Sequence, residues 1–175
     1  ENTSPNPQQD RSIRRFSCEK EWLETKLPIQ ILRLPGIYGP RRSAFESILN
    51  GTAKMIDKPN QVFSRIHVDD IAGAVMFLIN LYAQGQNPSV VNVADDLPTN
   101  NLEVIDFAAK LAKKSLPPKV PFQIAKKTMS PMALSFWQEN RKVDNNLLCK
   151  KLGYSLIYPD FKSGLKNCFS KLKMS

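Results

Sequence analysis

Apolar and polar residues recur along the chain in patterns that predict helices and strands in turn. Residues 12–26 predict an amphipathic helix, because Ile13, Phe16 and Leu23 fall on one helical stripe among charged positions. A proline ends this helix, and the apolar run at residues 29–34 predicts a buried strand that stops at a Pro-Gly pair. In open α/β sheets, ligands bind beyond such strand ends.

Further helices are predicted where a capping residue precedes apolar positions at helical spacing. Ser43 and Glu46 have the spacing of a capping box, and the helix that they open is expected to end at Gly51. Asp69 or Asp70 is expected to cap the next helix. The remaining predicted helices begin at Thr99 or Asn100 and cover residues 131–138, 144–152 and 160–172, and the further predicted strands cover residues 62–68 and 90–94.

This order of elements predicts an α/β fold with crossover connections between parallel strands. Only residues 29–34 and 90–94 are apolar enough to be central strands. Two parallel strands alone would leave backbone groups unpaired at their edges. The pattern therefore predicts the distal part of a doubly wound parallel sheet together with a small, mostly helical lobe, a fold that is incomplete without a partner segment.

The net charge of +9 is concentrated in the second half of the chain. Residues 1–109 carry 11 basic and 13 acidic side chains, a net charge of −2, whereas residues 110–175 carry 14 basic and three acidic ones, a net charge of +11. Such a surface attracts phosphates, nucleotides or nucleic acids, or it simply keeps exposed helix faces soluble. No aromatic-rich stripe accompanies the lysines, which argues against nucleic acid as the partner.

The three cysteines and the single histidine, His67, do not form a metal-binding pattern. The cysteines lack C-x-x-C spacing, so we expect reduced, packed thiols and no metal site. No apolar run reaches the roughly 18 residues that span a membrane, and the polar start has no secretory pattern. These features favour a cytoplasmic protein that is not bound to membranes.

Five short segments carry a family resemblance because of their order along the chain. They are residues 3–7, 33–40 (RLPGIYGP), 63–72 (FSRIHVDDIA), 91–96 (VNVADD) and 141–145 (RKVDN). Together they resemble the second half of the NAD-dependent epimerase/dehydratase family, the extended and atypical short-chain dehydrogenases. The resemblance implies a Rossmann-like domain, NAD or NADP as cofactor, a nucleotide-sugar substrate, and epimerase, dehydratase or oxidoreductase chemistry. It also places the family's glycine-rich nucleotide loop upstream of these segments.

The chain departs from this family at the helix that usually carries catalysis. Aligning the family's Tyr-x-x-x-Lys pattern through Phe16 and Glu19 puts Arg11 at the tyrosine position and Arg15 at the lysine position. Arginine stays protonated at any useful pH, so Arg11 cannot replace the tyrosine as a proton carrier. Arg15 is able to hold a cofactor ribose or phosphate; alternatively, both arginines belong to a solvated helix face. No catalytic residue is assigned.

The resemblance also implies where a cofactor binds. Pro35, Gly36 and Ile37 match the loop that lies against the nicotinamide in this family. Glycine allows a close approach and proline stiffens a turn. A plain strand-ending turn is the alternative interpretation.

Candidate substrate-binding residues are mostly cationic. Arg41 and Arg42 precede a predicted helix start, where free N–H groups help to hold a phosphate. Arg65 and His67 share one strand face, which we expect to line the substrate cleft. By resemblance, Arg141 reaches an anionic substrate. Exposed surface charge is the alternative for the arginines, and a hydrogen-bonded structural imidazole is the alternative for His67.

These observations divide the chain between two units and lead to several hypotheses. Residues 1–39 and 69–94 are expected to complete the NAD(P)-binding domain, and residues 40–68 and 95–175 to form the substrate lobe. The first hypothesis is a nucleotide-sugar epimerase/dehydratase-like protein with a phosphorylated or nucleotide-linked small-molecule substrate, with a homodimer as an arrangement left open. The alternatives are a non-catalytic dinucleotide-binding sensor or scaffold, and a module for acidic partners.

Overall fold

The computed structural model describes residue 1 and residues 3–172, which form seven α-helices and six short strands. The helices are α1 (Asp10–Glu24), α2 (Ala44–Leu49), α3 (Val68–Ala83), α4 (Asn101–Ala112), α5 (Phe122–Ala125), α6 (Pro131–Gln138) and α7 (Phe161–Leu172). The strands are β1 (Ile31–Arg33), β2 (Gly36–Tyr38), β3 (Met55–Asp57), β4 (Arg65–His67), β5 (Val90–Asn92) and β6 (Lys119–Pro121). A 3₁₀ turn occupies Lys126–Thr128, and a π-helical turn occupies Leu147–Lys151.

The strands form three parallel pairs, β1 with β5, β2 with β4, and β3 with β6. Leu32 lies opposite Val91, and Ile37 lies opposite Ile66. The predicted strand at residues 29–34 is present but shorter, and the Pro-Gly pair is more than a strand-ending turn because Gly36 begins β2. The sequence pattern missed β2, β3 and β6.

Two hydrophobic cores hold these elements together. One core packs α2, α4 and α7 against each other around Phe45, Phe161 and Leu165. The other core packs α3 against the strands through Leu78 and Val91. Burial of such side chains contributes about 1.5–3 kcal/mol each, so the two cores fix the relative positions of sheet and helices.

Helix α1 leaves its apolar face on the surface. The predicted amphipathic helix is present, but none of its residues is buried, and Ile13 and Leu23 are 47% and 42% exposed. A part-buried ion pair holds the helix in place, with Arg33 Nη2 2.6 Å from Glu19 Oε2. Helical periodicity predicts the apolar face but not what covers it.

The start of α3 also corrects the sequence prediction. His67 is the capping residue, since its Nδ1 accepts a hydrogen bond from the Asp69 backbone N–H at 3.2 Å. Asp70 is fully buried instead, and its two carboxylate oxygens accept hydrogen bonds from the N–H groups of Ile157 (2.6 Å) and Tyr158 (3.0 Å). One carboxylate thus ties α3 to the backbone that leads into α7.

Within the part of the chain that the structure describes, no helix has the length and hydrophobicity needed to cross a membrane.

Candidate ligand-binding site

A cavity of about 550 Å³ lies between the β2–β4 pair and helices α2, α4 and α7. We call it the arginine cavity, because Arg41, Arg42 and Arg65 are among its lining residues. Phe161 and Leu165 contribute apolar surface. Its other polar lining residues are Ser43, Glu46, Ser47, Asn50, Thr52 and Asn101. A volume of this size lies within the usual range for small-molecule sites.

Arg41 and Arg42 reach the cavity through a tight turn. Gly39 and Arg42 exchange two backbone hydrogen bonds of 3.1 and 3.0 Å, with Pro40 second and Arg41 third in the turn. Arg41 has a φ of 64°, which residues other than glycine and asparagine rarely adopt. The turn therefore holds Arg41 in a costly conformation directly before α2, and such strain is more common at functional sites.

Glu46 lies where α2 begins and uses only one of its carboxylate oxygens. Oε2 accepts hydrogen bonds from the backbone N–H of Ser43 at 2.6 Å and from its hydroxyl at 2.8 Å, which completes the predicted capping box. Oε1 is buried and has no hydrogen-bond partner among the described residues. A buried carboxylate oxygen without a donor is unfavourable, so this side chain reduces the stability of the fold.

Arg65 is held on the opposite wall by backbone carbonyls. Its Nη1 donates to the carbonyls of Phe63 (2.8 Å) and Thr99 (2.9 Å), and these two residues also pair with each other through their backbones. Burial lowers the pKa of the Arg65 guanidinium, and the nearby Asp95 partly opposes that shift. The guanidinium still carries its charge, because its ordinary pKa is so high.

Asp95 is a buried carboxyl group close to this wall. The sequence pattern assigned no role to it. Its Oδ1 accepts a hydrogen bond from the Leu97 backbone N–H at 3.3 Å, and its Oδ2 has no partner among the described residues. Burial raises the pKa of Asp95 to about 7, although the Leu97 hydrogen bond and the Arg65 charge lower it. The segment at residues 91–96 was recognised as a motif, but nothing in its spacing distinguished Asp95 from Asp96.

The structure separates His67 from the arginines. His67 is fully buried, and it is not among the residues that line the arginine cavity. Because Nδ1 accepts from the Asp69 N–H, the proton is assigned to Nε2, which faces Cys168 Sγ at 3.8 Å. The rings of Tyr38 and Tyr158 pack against the imidazole, and burial lowers its pKa. Its role in substrate binding stays a prediction.

The other candidate residues lie outside the arginine cavity. Arg141 is exposed and forms an ion pair with Glu139 at 2.7 Å. Arg11 and Arg15 are exposed on α1. None of these three residues is among those that line the cavity.

The carboxyl end of β1 is open, since Leu34 and Gly36 are exposed. A Cβ at Gly36 would lie 3.3 Å from the Ser64 carbonyl oxygen, so the missing side chain allows β2 to approach β4 closely. This contact gives the glycine a packing reason, in addition to the ligand approach that the motif suggested. Ile37 lines the arginine cavity, so the predicted cofactor loop continues into its wall.

Comparison with solved structures identifies the fold. A protein of unknown function from Silicibacter pomeroyi is 39% identical over 98% of this chain and 59% of its own, with a TM-score of 0.88. A proposed NAD-dependent epimerase/dehydratase from Methylobacillus flagellatus is 24% identical over 99% of this chain and 57% of its own, with a TM-score of 0.73. The chain has the fold of the NAD-dependent epimerases and dehydratases. This result confirms the predicted fold class and the resemblance stated from the motifs.

A dTDP-glucose 4,6-dehydratase from Bacillus anthracis, solved in complex with NAD, shares the epimerase/dehydratase fold at 16% identity, with a TM-score of 0.71. Our chain spans 55% of the length of the dehydratase. It spans less than two thirds of the length of each of the three structures. No protein-family model matches the chain, and no curated protein matches it.

Proposed function

We propose that this chain belongs to an NAD(P)-binding protein of the epimerase/dehydratase type that acts on a phosphorylated or nucleotide-linked small molecule. The arginine cavity is the observation that supports the proposal. Three residues that were predicted to bind anions, Arg41, Arg42 and Arg65, line this one cavity. Guanidinium groups bind phosphate oxygens with charge-assisted hydrogen bonds, so a phosphate-bearing substrate fits the cavity.

The carboxyl end of β1 fits a nicotinamide cofactor. Leu34 and Gly36 are exposed there, which leaves room for a flat ring, and Pro35 stiffens the backbone between them. In this proposal Pro35, Gly36 and Ile37 contact the nicotinamide side of NAD or NADP, and Arg15 binds a ribose hydroxyl or a phosphate. The cofactor, when bound, supplies hydride transfer. Residues 1–39 and 69–94 would form its binding domain, and residues 40–68 and 95–175 the substrate lobe.

A specific observation supports a second candidate function, a dinucleotide-binding sensor or scaffold without turnover. By the motif alignment, Arg11 and Arg15 fall at the positions of the family's catalytic tyrosine and lysine, and both are exposed on α1. An arginine cannot exchange a proton at neutral pH. The described residues place no tyrosine on α1 that would act instead.

Binding and turnover measurements separate these candidates when the chain is joined to the glycine-rich nucleotide segment that the resemblance places upstream. Fluorescence titration with NADH and NADPH tests cofactor binding, and the change in nicotinamide absorbance with sugar nucleotides tests turnover. Binding with turnover supports the first function, and binding without turnover supports the sensor. Arg15→Gln is expected to weaken cofactor binding, whereas Arg14→Gln, its matched control at an exposed position of the same helix, leaves it unchanged. Absence of binding to either dinucleotide, when the chain is joined to that upstream segment, contradicts both functions.

A further inference from the structure

One long segment of the chain carries lysines but no acidic side chain. Residues 107–138, which we call the lysine segment, contain six lysines and no arginine, aspartate or glutamate. Lys110 is paired with Asp106 at 2.7 Å, whereas none of the other five lysines forms an ion pair with the residues that the structure describes. These five are exposed: Lys113, Lys114, Lys119, Lys126 and Lys127. The segment therefore presents a positive charge to the solvent, and such a charge attracts anionic partners.

The lysine segment also exposes large apolar side chains. Four of them are between 44% and 62% exposed: Leu116, Ile124, Met132 and Phe136. Met132 and Phe136 are four residues apart on α6, so they share one face of that helix. Helix α6 contains no charged residue, and none of its residues is buried. Apolar groups in such positions indicate contact with a partner.

Stacked rings hold the helices of this segment together. The rings of Phe122 on α5 and Trp137 on α6 stack with their centroids 5.7 Å apart. Ala125, which lies about one turn after Phe122, is buried, whereas Ile124 and Lys127 are exposed. Because residues three apart in a helical stretch share a face, Ile124 and Lys127 lie on the same outer surface. Lysine and apolar side chains are therefore neighbours on one surface of the segment.

The composition of this surface favours a lipid membrane over a protein as the partner. Protein interfaces are enriched in arginine, which binds carboxylates through two parallel hydrogen bonds, and they are depleted in lysine. The cations of the segment are all lysines, whose compact charges suit a layer of anionic headgroups. Ile124, Met132 and Phe136 are each more than half exposed on helical elements, which suits shallow insertion beside the headgroups.

We propose that the lysine segment docks the protein on an anionic phospholipid surface. The five exposed lysines attract the phosphate and carboxylate groups of the headgroups, and Ile124, Met132 and Phe136 enter the boundary between headgroups and acyl chains. The sequence favoured a protein that is not bound to membranes, because no apolar run is long enough to span one. Docking on the surface requires no spanning helix, and it is independent of the proposed function.

Flotation of the full chain with lipid vesicles tests the proposal. One vesicle preparation is phosphatidylcholine alone, and the other contains about one third phosphatidylserine. We expect the chain to bind the anionic vesicles at least about tenfold more tightly than the neutral ones. Aggregated protein sinks in this experiment, so it is not counted as bound. Binding to neither preparation, or equal binding to both, overturns the proposal.

Two pairs of lysines separate this surface from the overall charge of the chain. Lys126→Gln with Lys127→Gln is expected to weaken binding to the anionic vesicles by about tenfold or more. Lys150→Gln with Lys151→Gln removes the same charge from exposed positions outside the segment and should change binding by less than about twofold. Equal losses in the two double variants would overturn the assignment to the lysine segment. Circular dichroism melting curves establish that each variant is folded.

The apolar contact is tested at constant charge. Met132→Ser with Phe136→Ser is expected to weaken binding to the anionic vesicles several-fold, because it removes the apolar groups of α6 that enter the lipid. Ile157→Ser changes a side chain that is 57% exposed outside the segment, and it should leave binding unchanged. Unchanged binding by the α6 double variant would overturn the insertion of this helix.

Two further measurements examine the electrostatic part of the contact and the alternative partner. Raising the ionic strength from about 0.1 M to about 1 M shortens the Debye length from about 10 Å to about 3 Å, so vesicle binding should weaken. Binding that is insensitive to salt would contradict the role of the lysines. A polyglutamate peptide serves as the probe for an acidic protein. A chain that binds this peptide but not the anionic vesicles would have a protein partner, and that result overturns the lipid assignment.

Discussion

At the scale of single residues, three side chains at or near the arginine cavity are held in unfavourable states. Arg41 has a positive φ, Glu46 has a buried oxygen without a partner, and Asp95 is a buried carboxyl group with another such oxygen. Each of these states reduces stability by itself. Their concentration around one cavity is typical of a site that is shaped for a ligand.

Replacement of Arg41 by glycine is expected to stabilise the fold and weaken phosphate binding. Glycine adopts a positive φ without steric cost, so Arg41→Gly should raise the free energy of unfolding by up to about 1 kcal/mol. Arg42 has an ordinary φ, so Arg42→Gly should lower that free energy by a similar amount. Urea denaturation of both variants measures the difference, and destabilisation by Arg41→Gly would contradict the strain at this turn.

Asp70 and Asp69 form a natural pair for comparison, because only the former is buried. Asp70→Asn replaces a carboxylate that accepts two backbone hydrogen bonds, and we expect it to lower the free energy of unfolding by about 2 kcal/mol or more. Asp69 has a side chain that is 51% exposed, and Asp69→Asn should cost less than about 1 kcal/mol. Denaturant titration compares the two variants. If both variants lost the same free energy of unfolding, helix capping would account for the contribution of each aspartate, and the hydrogen bonds from residues 157 and 158 would add nothing.

The Asp95 carboxyl group should make stability depend on pH. Burial raises its pKa from the ordinary value of 3.8 to about 7, so the folded chain holds more protons than the unfolded chain between these two values. Stability from this group is therefore present below about pH 4 and is lost as the pH rises through about 7. Compared with the Asp95→Asn variant, the unaltered chain should lose free energy of unfolding between about pH 4 and pH 7. Above pH 7 the difference between the two should stay constant.

Thermal melting of both forms over a pH series measures this effect. Subtraction of the two curves cancels His67, whose lowered pKa acts in the opposite direction. Parallel curves would show that Asp95 is ionised normally in the folded chain.

At the scale of elements, α7 and β2 approach so closely that one of them needs a glycine. A Cβ at Gly164 would lie 2.7 Å from Cζ of the Tyr38 ring, and the Tyr38 hydroxyl donates to the Asp160 carbonyl at 3.4 Å. The ring is buried between these contacts, so it cannot move aside without cost.

Gly164→Ala is therefore expected to lower the free energy of unfolding by about 1–3 kcal/mol through overpacking. Alanine favours helices by itself, so the control Lys166→Ala at an exposed position of α7 should be neutral or slightly stabilising. Guanidinium denaturation measures both. A stabilising Gly164→Ala would show that β2 and α7 are less tightly packed than described.

The elements also show which parts of the fold a sequence can predict. The capping box at Ser43 and the apolar spacing after it were sufficient to predict α2, because both signals are local in the sequence. Strands β3 and β6 lack the longer apolar run that marks residues 29–34 and 90–94, because charged or proline residues border Met55 and Ile56 in β3 and Val120 in β6. The exposure of the apolar face of α1 could not be predicted, since burial depends on contacts that are distant in the sequence. Arg41, Arg42 and Arg65 were predicted as anion-binding residues, but only folding shows that they line one cavity with Glu46.

At the scale of the whole molecule, apolar residues of two helices remain on the surface. Ile13, Leu23 and Trp22 on α1, and Met76 and Ile79 on α3, are each more than two fifths exposed. Large exposed apolar patches mark interaction surfaces or promote association. The structures that share this fold are longer than the chain, which covers 55–59% of the three compared above.

The 175-residue chain, expressed by itself, is therefore expected to self-associate. The double variant Met76→Ser with Ile79→Ser should reduce association, because it makes the outer face of α3 polar. The control variant is Lys110→Ser, which changes an exposed position on another helix and should leave association unchanged. Sedimentation velocity at several concentrations measures the change. A monomer at all concentrations would contradict the prediction.

The link made by Asp70 determines how the arginine cavity accommodates its contents. One carboxylate joins the start of α3, directly after β4, to the backbone before α7, and both β4 and α7 form walls of the cavity. A hinge motion that moved these walls apart would break two charge-assisted hydrogen bonds inside the protein. We therefore expect these two walls to resist separation, so that the size of a ligand matters as well as its charge.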